Sequence, residues 1–239
     1  STANKKNINL KTKFIQGSTN SKEDLSRLFA NDKYDAVIHL AASKTSGESM
    51  LNPKKYAQNN IIGSLNILIS CIDHGVKYFI FSSSAAVYGN PMYLPIDELH
   101  PLQPSSYYGY TKISTENSLE WFSKIHGLIY ASLRYFNAAG FDVNRRIDGK
   151  EKNTKNLIPI IMEVAKGNKP FISIYGNDYS TKDGTGVRDY IHVTDLAIAH
   201  ISALEYLRKN SKSLILNLGS ETGFSVLEIL EKTIQILNI

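Results

Sequence analysis

Runs of β-branched and aromatic residues alternate with helix-length amphipathic stretches along the whole chain, and this alternation constrains the fold more than any other feature. Strand candidates lie at residues 13–16, 36–41, 78–83, 129–135, 172–175 and 215–218, with helix candidates at 21–30, 53–74, 107–126, 157–167, 193–209 and 225–237. The order is βαβα. It predicts a mostly parallel sheet covered on both faces, because each crossover helix must bury its apolar stripe on that sheet. Local signals set the helix limits: Ser21 stands three residues before Asp24 as an N-cap, and Gly75, Gly127 and Gly167 follow helix candidates as C-caps. The chain turns polar over residues 141–156 and again over 176–186, and long loops in α/β proteins usually carry ligand contacts.

Composition removes several function classes. Lys and Arg number 27 against 22 Asp and Glu, a net charge of +5. The basic residues are scattered as Lys5-Lys6, Lys54-Lys55 and Arg145-Arg146, without the interleaved aromatics of single-strand binders, so no nucleic-acid partner is expected. Cys71 is the only cysteine, which excludes an internal disulfide and a cysteine-based zinc site. The six histidines form no metal-ligand spacing, and no metal is expected. No apolar run approaches the ~18 residues of a membrane span, and Ser1 is followed by a polar stretch rather than a signal sequence. A cytoplasmic protein with no membrane association is the expectation.

An α/β dinucleotide binder opens with a strand, a Gly-x-Gly-x-x-Gly loop and a helix, which together place the pyrophosphate on backbone N–H groups. No such loop occurs in this sequence. Either the chain does not bind a dinucleotide, or it starts after the first βαβ unit.

Tyr108-Gly109-Tyr110-Thr111-Lys112 decides between these readings, because it places Tyr108 and Lys112 four apart at the start of a predicted helix, on one face. A phenol is a poor base at neutral pH, but a neighbouring ammonium favours the phenolate, and lowering its pKa by ~3 units needs only ~4 kcal/mol. Tyr108 could then take a proton from an alcohol. Upstream, the buried strand ending in Ser82-Ser83-Ser84 runs into Ala85-Ala86-Val87-Tyr88-Gly89. The C-terminal ends of parallel strands face the ligand crevice, where a serine hydroxyl can complete a Ser/Tyr/Lys proton relay.

Together with Leu133-Arg134-Tyr135-Phe136-Asn137-Ala138-Ala139-Gly140, Gly184-Thr185-Gly186-Val187-Arg188-Asp189-Tyr190-Ile191-His192 and Val37-Ile38-His39-Leu40-Ala41-Ala42, these motifs make the chain resemble the UDP-glucose 4-epimerases of the extended short-chain dehydrogenase/reductase superfamily. The resemblance covers nearly the whole chain. It implies a Rossmann-type doubly wound parallel sheet with part of a smaller C-terminal substrate domain: residues 1–136 binding NAD and lacking the first βαβ unit, and residues 137–239 forming part of a UDP-sugar region, with 187–210 packing back on the first domain. It also implies NAD-dependent epimerisation at C4 of a UDP-hexose through a 4-keto sugar, interconverting UDP-glucose and UDP-galactose. The chain as given is expected to be inactive alone, and a homodimer is expected.

Carried over by position, Tyr108 would take the 4-OH proton, Lys112 would hold the nicotinamide ribose and keep Tyr108 ionised, and Ser84 would bond the reacting oxygen. NAD contacts would fall on Leu40, Ala41, Ala42, Lys44, Asn59, Ser82, Tyr108, Lys112, Tyr135 and Phe136. UDP-sugar contacts would fall on Ser84, Tyr108, Asn137, Asn156, Leu157, Ser173, Tyr175 and Arg188. Arg188 offers a planar fork for phosphate, Tyr175 a ring for uracil, and Asp189 a carboxylate to orient Arg188.

Two departures from the family pattern stand out: Gly17-Ser18-Thr19 replaces the usual Gly-Asp near the adenine, and Asn144-Arg145-Arg146 interrupts the substrate-side loop. A 4,6-dehydratase would need a carboxylate where Ala85 and Ala86 stand. Related 4-epimerases acting on N-acetylhexosamines or uronates, and a non-catalytic nucleotide-sugar-binding fragment, are the alternatives.

Overall fold

The structure is a computed structural model describing residues 7–147 and 156–238. These divide into two compact units, one of residues 13–136 and 195–218, the other of residues up to 12, 137–194 and 219 onward.

The first unit is built on a parallel four-stranded sheet of order β1-β2-β3-β6, where β1 is Ala36–His39, β2 Tyr78–Ser84, β3 Ile129–Tyr135 and β6 Leu214–Leu218. The period-2 alternation of β2 sends Phe79 and Phe81 to one face and Ile80 to the other. On the Phe79 face, α1 (Lys22–Asn31), α4 (Gly63–Asp73) and α5 (Tyr107–His126) bury Leu25, Phe29, Ile67, Leu68 and Leu119. On the Ile80 face, α7 (Val193–Asn210) buries Ala203 and Leu207 against Ala131 and Leu133. The sheet is thus covered on both sides, as the βαβα order requires. Ser21 accepts a hydrogen bond from the Asp24 N–H at the start of α1, and Gly127 closes α5 in the left-handed conformation, φ 71°.

The stretch over 53–74 reads as one helix in sequence. It folds as α3 (Pro53–Tyr56), a π-helical turn (Ala57–Ile62) and α4. The short helix α2 (Ser46–Leu51) precedes it, unsignalled by periodicity. Residues 13–16 were expected as a strand but pair with none of the described strands, and Phe14 and Ile15 stay exposed. A strand exists only where another strand takes up its N–H and C=O groups, and no strand among the described residues pairs with this segment.

The second unit carries a sheet of order β4-β5-β7 (Asn137–Ala139, Val187–His192 and Gly223–Ser225), with the β4–β5 pair parallel and the β5–β7 pair antiparallel. Two helices, α6 (Leu157–Ala165) and α8 (Val226–Leu237), pack together in this unit. The expected strand over 172–175 is irregular and mostly exposed. Buried Thr185 and Ser225 converge on the Asp183 carboxylate, which ties the 176–186 loop to the start of α8.

Candidate active site

Three backbone features bring the predicted relay together at the C-terminal end of the parallel sheet. Ser84 ends β2, and its hydroxyl accepts the Ala86 N–H to start a 3-10 turn over Ala85–Val87. Ser106 caps α5 by accepting from the Gly109 N–H. At Gly109 a Cβ would lie 2.4 Å from the Ala86 carbonyl oxygen, so only glycine lets the first turn of α5 press against the turn after β2. Tyr108 beside it lies near Ser84. The Tyr108 N–H is tied to Ser49 Oγ at 2.9 Å, and its carbonyl accepts Thr111 Oγ1 at 2.7 Å.

Lys112, one turn further, is buried, and its Nζ donates to the Ser82 carbonyl at 2.7 Å. The ammonium lies 4.9 Å from the Phe81 ring centroid and 5.6 Å from that of Tyr108. Burial drives its pKa down to about 8, against the opposing pull of Glu116. His39, at the end of β1, bonds Ser64 Oγ at 2.8 Å and is pushed to about 4 by burial and then by the Lys112 charge.

Burial pushes the Tyr108 phenol up to about 12, with the Ser84 hydrogen bond opposing it. Lys112 Nζ gives one of its donors to the Ser82 carbonyl and stays 5.6 Å from the Tyr108 ring centroid.

The sequence-predicted cofactor residues gather at the same end of the sheet. Leu40, Ala41 and Ala42 follow β1 as an exposed strip, with exposed Lys44 close behind. Ser82 lies on β2, while Tyr135 closes β3 in register with Ser84 and Phe136 follows, its N–H bonded to the Leu218 carbonyl. Asn59, in the π-helical turn, donates to Ser43 Oγ at 3.1 Å and accepts from Asn20 at 3.0 Å. The donor set fits a nicotinamide nucleotide: an ammonium has three donors, of which one goes to Ser82, and the exposed Leu40-Ala41-Ala42 strip offers an apolar surface.

The predicted UDP-sugar residues other than Ser84 and Tyr108 lie in the second unit. Asn137 on β4 donates to the Asp189 carbonyl at 2.9 Å. Asn156 occupies the N-cap position of α6 and Leu157 opens that helix. Ser173 and Tyr175 sit in the irregular segment, Tyr175 being 86% exposed. Arg188 is exposed on β5; NH1 bonds the Val187 carbonyl, and the guanidinium makes no salt bridge to a carboxylate among the described residues. Asp189 does not orient it. Its carboxylate instead accepts the Ser220 N–H and hydroxyl and the Glu221 N–H, holding the turn after β6.

Sequence reasoning passed over several buried groups. Glu116 lies one turn beyond Lys112 on the face of Tyr108 and Lys112, and takes a bidentate Arg134 and Ser83 Oγ at 2.6 Å. The 108/112/116 spacing was the available signal. Asn60 links the Ser43 backbone to Thr111 Oγ1, and His200 reaches Ser82 from α7; neither has a local signature. Among the described residues no His, Cys, Asp or Glu cluster could hold a metal, and no helix is long and apolar enough to cross a membrane.

Known proteins resemble this chain in sequence and in fold. Residues 1–219 match the model of the NAD dependent epimerase/dehydratase family. A UDP-glucose 4-epimerase of Halalkalibacterium halodurans is 44% identical over 91% of this chain and 65% of its own length, so the chain spans just under two thirds of that relative. The crystal structure of UDP-glucose 4-epimerase from Brucella ovis in complex with NAD is 40% identical, with a TM-score of 0.90 over 93% of this chain and 68% of that one. The structure of the Stenotrophomonas maltophila enzyme with bound NAD and formylated UDP-arabinopyranose is 39% identical, with a TM-score of 0.90 over 95% of this chain and 68% of its own.

Proposed function

The chain belongs to the NAD dependent epimerase/dehydratase family, and from that premise we propose that its protein interconverts UDP-glucose and UDP-galactose by NAD-dependent epimerisation at C4. The observation that carries this reading is the convergence of Ser84, Tyr108 and Lys112 at the C-terminal ends of parallel strands.

When bound, NAD would supply a hydride acceptor and donor at the sugar C4 and a cationic ring beside it. The chain's own residues move the proton. Tyr108 Oη takes the 4-OH proton as the 4-keto sugar forms and gives it back on return, while Ser84 Oγ holds the reacting oxygen in line. Tyr108 must be a phenolate at that moment. Bringing it from about 12 to near neutrality takes ~7 kcal/mol of differential interaction, so its ionisation is coupled to ligand binding. Lys112 Nζ, which titrates near 8, holds the ribose hydroxyls with the donors not used by Ser82. The Arg188 fork takes the UDP phosphates and Tyr175 stacks on uracil, with Asn137, Asn156, Leu157 and Ser173 lining the sugar nucleotide.

On the same reading, residues 1–136 belong to the NAD-binding part and residues 137–239 to the substrate part, except that 195–218 group with the first. The protein acts in the cytoplasm, consistent with its single buried thiol, Cys71. It is a homodimer through the helices bearing exposed Ile62, Ile69, Trp121 and Ile125.

The test is turnover by the protein expressed from its complete reading frame. Supplied with UDP-galactose and NAD and coupled to a UDP-glucose dehydrogenase, it should release UDP-glucose. Tight binding of UDP-galactose and NAD without turnover would overturn the reading.

A further inference from the structure

The first turn of α5 presents three backbone N–H groups, those of Tyr107, Tyr108 and Gly109, that no preceding turn can satisfy. The helix's own cap, Ser106 Oγ, takes only the Gly109 N–H, at 3.2 Å. The other two are taken by α2: Met50 Sδ accepts the Tyr107 N–H at 3.3 Å and Ser49 Oγ accepts the Tyr108 N–H at 2.9 Å. The N–H of Tyr108 is thus held by a neighbouring helix and not by α5 itself.

α2 inverts the usual pattern of burial. Its Met50 and Leu51 are 61% and 88% exposed, while Ser49 is wholly buried and is the only residue the helix buries. A buried hydroxyl costs free energy unless it is bonded, and Ser49 uses both of its capacities: its O–H donates to the Ser46 carbonyl, and its oxygen accepts the Tyr108 N–H. Both directions follow from groups that can only accept or only donate, with no titrating group among them. α2 is itself anchored in front by the buried Tyr56 hydroxyl, which accepts the Thr45 N–H at 3.0 Å.

We propose that Ser49 is a positioning residue for Tyr108: its oxygen fixes the backbone N–H of the tyrosine and thereby the place from which the phenol acts. Enclosed by protein, Ser49 has no surface to offer a ligand. Its loss would leave the Tyr108 N–H without an acceptor and shift the first turn of α5, and misplacement of reacting atoms by ~1 Å can cost ~100-fold in rate. The kinetic consequence rests on the reading of Tyr108 as the group that takes the 4-OH proton, whereas the hold on its backbone does not.

Two measurements test it, in the protein expressed from its complete reading frame. The first needs no ligand: amide hydrogen exchange, read by nuclear magnetic resonance in the parent and in Ser49→Ala. The Tyr108 N–H should exchange about tenfold faster or more in the variant, and its acceleration should exceed that of the Leu119 N–H deep in α5. A Tyr108 rate that is unchanged, or that rises only in step with Leu119, would overturn the proposal. The second is turnover of UDP-galactose. Ser49→Ala should lower kcat by about tenfold or more, with KM within about threefold of the parent. A kcat like the parent's, or a loss carried by KM, would refute the positioning role. Ser49→Cys fills similar space with a weaker acceptor, so it should show the same split at smaller amplitude, and it carries both measurements if the alanine variant does not fold. A larger loss in cysteine than in alanine would show that volume and not the bond decides, against the proposal. A parent without turnover would overturn the epimerase reading, and the exchange rates would still decide whether Ser49 holds Tyr108.

Discussion

Replacing Lys112 with methionine should make the protein more stable while ending its chemistry. In the fold, burial takes the lysine from the 10.5 of a solvated side chain to about 8. This is a base with a depressed folded pKa, so between those values the unfolded chain binds more protons than the native state, and stability rises with pH. Below about pH 8 the full penalty applies, and the fall from 10.5 to about 8 corresponds to ~3 kcal/mol. Methionine fills similar space without the charge but loses the bond from Nζ to the Ser82 carbonyl, worth ~1 kcal/mol. The net gain is ~2 kcal/mol at about pH 7, and it should disappear by about pH 10.5 as the native lysine loses its penalty. Cys71 and Tyr108, both pushed up to about 12 by burial, titrate in parent and variant alike and largely cancel in the difference. Urea unfolding of both proteins across that pH range reads the effect directly. Destabilisation by Lys112→Met at neutral pH, or a difference that does not change with pH, would refute the argument that this lysine is kept at a cost to stability.

Two further outcomes follow from the geometry. Arg188→Ala should weaken UDP binding by ~2 kcal/mol, roughly thirtyfold, while NAD affinity holds; calorimetric titration of each ligand separates the two. Gly109→Ala should cost ~2 kcal/mol or more and abolish turnover, because its Cβ would meet the Ala86 carbonyl 2.4 Å away; denaturant unfolding with an activity assay checks both.

What the sequence reveals about this fold follows from how far apart the determining residues lie. Tyr108 and Lys112 are legible because four residues of helix put them on one face, and β2 is legible because its apolar run ends in serines. The π-helical turn at Ala57–Ile62 was hidden, since the apolar pattern runs on unbroken through it. Residues 13–16 have strand composition and no strand, because pairing belongs to two segments and composition describes one. The short β4 and β7 hold three residues each, too few for any periodicity to register. The burial of Tyr108 was hidden for a related reason. Spacing supplies the neighbouring charge, whereas burial and the Ser82 carbonyl that claims the ammonium come from distant parts of the chain.

The most direct test of the central claim is Tyr108→Phe in the protein expressed from its complete reading frame, with kcat and UDP affinity measured on the same preparation. Removal of the single hydroxyl that takes the 4-OH proton should lower kcat by ~100-fold or more and leave UDP affinity unchanged. Turnover near that of the parent would show that Tyr108 is not the base, and the proton route through Ser84, Tyr108 and Lys112 would fall with it.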